Sequence, residues 1–332
     1  MSFRGAIVLT LVSVLASNAP AQKNKKKTEE PVTQTLPLLK DPPSAVAAET
    51  DKLIFQVSPL SSKGLLSQQV RDALKALLRD NHGAAIVKLR AFVAGSGDMR
   101  RVSTIVSETF TERKLALPAV STVEVGALPM EGAQVVIESV AVDKKSWNPN
   151  GLAFYSAQPV EKLGALTGAL RATCFLGSLD DLGKVKAKVF AAFPGAAVNF
   201  VQSQRLGFEP QDVCESVARL DAAPSGPVVM KEGAALVNTP KIVLTGTQMA
   251  FRDTDADLRL AFERLRKALE AAGVSYKDVF WASGYPLTRP VEGKVRAMRQ
   301  EFFGQAVGTT LLFEGLPSLD ATMALDVMAA GK

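Results

Sequence analysis

Apolar positions along the chain switch between two periods. Alternating or continuous short runs suit half-buried and buried strands, and recurrence every three or four residues suits a helix facing a core. A strand pattern over residues 53–59 is followed by helical spacing at Val70, Leu74, Leu77 and Leu78. A second strand at 89–93, a loop holding Asp98, and a helix face of Val102, Ile105, Val106 and Phe110 come next. The hexamer Val136-Ile137-Glu138-Ser139-Val140-Ala141 then closes the unit as a buried strand.

The same order returns twice. The second pass opens at 152–159 and continues with a strand at 172–176, Asp180, and a helix face of Leu182, Val185 and Val189. It closes on Val213-Cys214-Glu215-Ser216-Val217-Ala218. The third opens at 242–249, with helices predicted from Leu258, Phe262, Leu265 and Leu269 and from Val291, Val295, Met298 and Phe302. Between them lies a strand at 279–282, and the pass closes on Ala324-Leu325-Asp326-Val327-Met328-Ala329. From the strand aromatic to the acid of the hexamer the spacings are 46 (Phe92 to Glu138), 40 (Phe175 to Glu215) and 45 residues (Trp281 to Asp326). Such regularity reads as three copies of one small unit.

The middle copy is shortened. Only 19 positions separate Ser156 from Phe175, against 34 from Ser58 to Phe92, so its first helix must be short or missing. Gly164 and Gly168 weaken what remains. The order strand, helix, strand, helix, strand, strand predicts an α/β (α+β) unit with one mixed sheet and both helices on a single face. The bare face needs a partner, and three copies packed about an approximate threefold axis, an intramolecular pseudo-trimer in a monomeric chain, would supply it.

The first fifty residues read differently. Arg4, an apolar run over 6–16 and Ala19-Pro20-Ala21 predict a signal peptide over 1–21, cleaved after Ala21. That run is too short to cross a bilayer. Residues 22–50 are polar and proline-bearing and read as a linker. The predicted copies are 51–145, 146–222 and 223–332. No membrane attachment is expected after cleavage, so the location should be periplasmic or secreted. A formal charge of +6 spread over 332 residues gives no ground for a nucleic-acid partner.

The residues that repeat also carry a resemblance. "FVAGSGDMRRVSTIVSETF" from Phe92, "PAVSTVEVGALP" from Pro118, "VVIESVAV" from Val135, "LTGTQM" from Leu244 and "FEGLP" from Phe313 are similar to the RidA (YjgF) family. The second copy resembles it more weakly, through "FYSAQP" from Phe154 and "VCESVARL" from Val213. The resemblance implies a chorismate-mutase-like fold, trimeric packing, and clefts between units. There an arginine grips a carboxylate and a glutamate places the water that hydrolyses enamines and imines of amino acids. A guanidinium suits a planar carboxylate and a carboxylate can orient water.

The pattern fails in each copy. Val120, Val198 and Gly308 stand at the arginine position, and Val136, Val213 and Ala324 at that of the glutamate. Glu138, Glu215 and Asp326 match the next acid along, on the same strand face. They remain ligand-binding candidates. So do Ser58, Gln158 and Gln248, which the resemblance places at the cleft borders, and Arg205, seven residues past Val198.

Little other chemistry is available. One histidine, His82, sits in a helix-ending "NHG", and it and two cysteines cannot build a histidine-rich zinc site or a Ser-His-Asp triad. No metal or cofactor motif is present. Cys174 and Cys214 fall on strands of the middle copy, as a disulfide or as buried thiols. Trp281 reads as core, and Trp147 as packing at the junction of the first two copies. The expected function is a degenerate RidA-like protein that binds a small metabolite, or a protein partner, without efficient deamination. The alternatives are an enamine/imine deaminase-type hydrolase using non-standard residues and, more remotely, RNA cleavage.

Overall fold

The first sheet forms where alternation meets long apolar runs. Its strands are β2 (Leu53–Val57), β3 (Ala85–Ala94), β4 (Ala119–Val125) and β5 (Val135–Val142), in spatial order β2, β5, β3, β4, with β3 and β4 parallel and the other pairs antiparallel. Helices α1 (Leu66–Asp80) and α2 (Arg100–Glu112) cover one face. Val70, Leu74, Leu77, Val102, Ile105, Val106 and Phe110 pack there against Leu89, Ala91, Val93 and Ile137. At the end of α1, His82 (φ 50°) and Gly83 (φ 89°) turn the chain through left-handed conformations, so the single histidine serves the turn. This computed structural model describes residues 39–203 and 212–332. The expected signal peptide, most of the expected linker, and Arg205 lie outside the described residues.

The second sheet contains β6 (Leu152–Pro159), β7 (Ala169–Leu176), β8 (Ala197–Gln202) and β9 (Val213–Arg219) with the same pairing logic: β6 and β7 flank β9, and β8 runs parallel to β7. Between β6 and β7 stands only a three-residue 3₁₀ turn, Val160–Lys162, where the first unit has α1. Among the described residues a single helix, α3 (Leu182–Ala192), covers this face. Its core is correspondingly small among the described residues, ten buried side chains against eighteen in each neighbour. Inside it, Cys174 and Cys214, directly paired on β7 and β9, form a disulfide.

The third segment supplies β12 (Lys241–Thr245), β13 (Gln248–Ala250), α4 (Asp255–Ala271), β14 (Val279–Pro286), α5 (Arg289–Phe303) and β15 (Met323–Gly331). Thr254 caps α4 by accepting from the Asp257 amide, and Asp255 and Asp257 favour the helix N-terminus. The outer parallel strand survives only as bridges from Trp281 to Val307 and from Gly284 to Thr310. The fold is thus tandem-repeat-like.

Two boundaries differ from the sequence expectation. Ala45–Glu49, read as linker, is β1 and pairs antiparallel with β12 in the third sheet. Residues 228–237, assigned to the third unit, form a hairpin of β10 (Val228–Lys231) and β11 (Ala234–Val237) whose second strand pairs with β6 of the second sheet. Each addition covers the free backbone edge of an opening strand, which would otherwise present unpaired amides and carbonyls. Neither segment has a long apolar pattern, because an edge strand is stabilised chiefly by its ladder.

The helix-free faces of the three sheets meet one another. One shared cluster joins Phe55, Val140, Phe154, Val217, Leu244 and Trp281, and another joins Phe92, Val136, Phe175, Val213, Tyr285 and Phe313. Register slips at the same place in all three sheets, between Ile86 and Lys88, Ala169 and Arg171, and Val279 and Trp281. Such a bulge turns two successive residues to one side. Beyond it Arg90, Thr173 and Ser283 each sit opposite an acid, Glu138, Glu215 and Asp326 respectively. The counterpart of Phe92 and Phe175 is therefore Tyr285, not the Trp281 that the spacing suggested.

Candidate functional site

The most charged feature lies inside the molecule. Lys88 and Arg90 alternate along β3, Arg171 stands on β7, and all three meet Glu138, Glu215 and Asp326 where the sheets converge. Arg90 donates to Glu138 at 2.8 Å, to Glu215 at 2.5 Å and to Thr173 at 3.1 Å. Arg171 stands 3.6 Å from Glu138, and Lys88 lies 3.2 Å from Asp326 and 2.5 Å from Ser121 Oγ. Ser121 and Tyr285 also donate to Asp326, and Asn199 donates to Glu138. Three cations balance three anions.

Electrostatics fit a closed network. Burial alone would raise the Glu138 carboxyl, but Arg90 and Arg171 beside it hold it below the usual carboxylate range. Burial would lower Arg90, yet Glu138 and Glu215 keep it well above its ordinary value. Burial prevails at Lys88 and Arg171, lowering both despite Asp326 and Glu138. Glu138, Glu215 and Asp326 are only 1%, 2% and 4% exposed. A cavity of about 20 Å³ beside Glu138 and Asp326 is far too small for a metabolite. The three acids proposed as ligand contacts therefore sit in a structural ionic layer, because the strand face they share points to the other sheets.

Ser58 is also withdrawn from ligand binding. Its hydroxyl accepts from the Ile137 amide at 2.9 Å, fastening the end of β2 to β5, and it is buried. Gln158 and Gln248 remain half-buried at strand ends.

Clefts do occur where opening strands approach a neighbour's outer strand. Val120, paired with Leu89, Val198, paired with Ala172, and Gly308, beside Ala282, occupy corresponding register positions. Gln248 and Val120 line a cleft of about 250 Å³ between the third and first segments, narrowed by Asp41, Pro42 and Pro43. Ser156 and Gly308 line another, of about 240 Å³, between the second and third. Gly308, at φ 145°, admits no side chain: a Cβ there would lie 2.0 Å from the Ala282 carbonyl oxygen. Helix α5 instead directs Arg296 and Arg299 to this cleft. The sequence reading missed both; two arginines three apart on a helix otherwise look like an ordinary solvated face.

The remaining candidates are structural. Trp281 and Tyr285 lie in the shared clusters, and Trp147 donates to Asp143 at 2.6 Å. Among the described residues no group of three His, Cys, Asp or Glu side chains is placed to hold a metal ion, and no helix is long and apolar enough to cross a membrane.

Residues 45–143 match the family model described as Endoribonuclease L-PSP. No curated protein matches the chain. Among solved structures, a YjgF/YER057c/UK114 family protein from Mycobacterium tuberculosis is 20% identical over 27% of this chain and 79% of its own, at a TM-score of 0.26. A putative endoribonuclease from Thermotoga maritima is 16% identical over 34% of this chain and 90% of its own, also at 0.26. A chorismatase is 11% identical over 86% of this chain and 77% of its own, at 0.43. The chain contains a RidA/YjgF-like domain, an α+β fold of mixed sheet and helices.

Proposed function

We propose that the protein is an exported, degenerate RidA-like protein, three diverged copies packed as an intramolecular pseudo-trimer, that binds a small metabolite at an inter-repeat cleft without efficient deamination. The observation that carries this reading is the shared register of Val120, Val198 and Gly308, and of Val136, Val213 and Ala324, where the resemblance calls for arginine and glutamate. The acids two residues further on are buried and engaged in the ionic layer, so they do not replace the missing water-positioning group. Export is supported by the Cys174–Cys214 disulfide, since such bonds persist in oxidising compartments. Purified protein mixed with enamines generated from serine or threonine should release ammonia no faster than background; robust turnover refutes the reading and favours a hydrolase with unconventional residues.

A further inference from the structure

We propose that the outer edge of β2 is a docking site for an extended segment of a partner protein, which adds a strand to the first sheet. The clefts play no part in this, so it stands whether or not they hold a metabolite. Phe55, Phe154 and Leu244 are equivalent positions of the three opening strands, all in one shared apolar cluster. Val46 of β1 lies opposite Leu244, and Ala235 of β11 opposite Phe154. Two residues further on, the Gly246 amide donates to the Ser44 carbonyl at 2.9 Å and the Ser156 amide to the Gly233 carbonyl at 2.8 Å. In the first sheet the same edge is bare, since β2 ends the strand order. The Ser58 amide donates to the Ile137 carbonyl and the Asp143 amide to the Lys52 carbonyl, so even-numbered positions face β5 and Leu53, Phe55 and Val57 face outward. Leu53 is satisfied, by the Thr50 carbonyl and by Asn148 Nδ2. The backbone groups of Phe55 and Val57 have no partner among the described residues.

The described chain has no strand left for this place. The covers of the other two edges come from just before the first unit, β1, and just before the third, β11. The stretch before the second unit does reach β2, but only its start, where the Asn148 amide donates to the Asp51 carbonyl and its side chain to those of Thr50 and Leu53. It continues Pro149-Asn150, which suits a turn, and proline offers no ladder amide. The two existing covers define the occupant. Each is four or five residues long and turns small apolar side chains into the shared cluster at alternate positions, Val46 and Ala48 on β1, Ala235 and Val237 on β11. Continuing that interface at β2 calls for an extended segment with alanine or valine at alternate positions, held by main-chain hydrogen bonds. The β2 strand of a second copy fits poorly, because its inward Leu53 and Phe55 are already buried in its own core.

The probe is a blocked peptide of residues 43–50, PSAVAAET, added to the ¹⁵N-labelled full chain. With peptide tenfold above its dissociation constant, hydrogen exchange at the Phe55 and Val57 amides should slow about tenfold. The same peptide carrying Val46→Pro lacks the amide that would meet the Phe55 carbonyl and should not bind. In the protein, Val57→Pro removes only an outward amide, which an edge strand tolerates, and should weaken binding about fivefold or more. Should that variant fail to fold, the proline peptide still decides. No binding, protection at other amides, or equal binding of the proline peptide overturns the inference. Protection already present in the free chain overturns it too: if unchanged on dilution it assigns the edge to a segment of the same chain, and if growing with concentration to a second copy.

Discussion

Replacing Arg90 by methionine probes the ionic layer most directly. Methionine keeps much of the aliphatic volume and removes the one cation that bonds both Glu138 and Glu215. Glu138 would retain Arg171 at 3.6 Å, whereas Glu215 would lose the one ion-pair partner seen for it among the described residues. Removing one member of a buried pair costs about 3–5 kcal/mol, because the remaining charge stays desolvated. At roughly 2–4 °C per kcal/mol for a domain of 150–250 residues, the melting temperature should fall by at least about 6 °C. The double variant Arg90→Met/Glu215→Gln removes one charge of each sign and should recover part of that loss, a coupling readable from a double-mutant cycle. Circular dichroism melts of the four proteins decide it. A single variant within about 1 °C of the wild type, or no recovery in the double, would show that the layer is not a coupled network, against the geometry.

Acid should weaken the fold in the same place. Glu138 is held below its unfolded value, so its contribution is full above roughly pH 4.3 and lost as pH falls through the folded value; melts from pH 7 to pH 3 should show the decline, and Glu138→Gln should flatten part of it. Changing Cys174 and Cys214 together to serine should cost about 2–4 kcal/mol, measured by urea unfolding, and a loss below 0.5 kcal/mol contradicts a stabilising role for the bond in the smallest core. Gly308→Ala should destabilise by at least about 3 kcal/mol, since its Cβ meets backbone that cannot turn aside, and a soluble variant melting like the wild type would refute the close approach.

Much of the scaffold was legible because long elements carry their own period. The faces of α1, α2, α4 and α5, the missing helix of the middle segment and the three closing strands all follow from apolar spacing. The short edge strands did not, since β1 and β10 are held by a neighbour's backbone and their side chains need no pattern. The acids were found but assigned to clefts. Their cations, Lys88 and Arg90, alternate within an otherwise apolar strand, and a buried charge there implies an opposite charge across the sheet. Reading that signal would have moved Glu138 and Glu215 inward. The arginines of α5 were hidden because exposure along a helix does not say which neighbour's strand lies opposite.

The pairing of β1 with β12 binds the start of the described chain to its last third. During synthesis the third sheet cannot be finished when its own strands emerge unless the earliest segment has stayed unattached and available, a late event of high contact order. Once made, that junction works as a clasp. Trimming the chain at residue 51, where the repeat pattern alone would set a cut, should leave one edge of β12 bare and open to strands from other molecules.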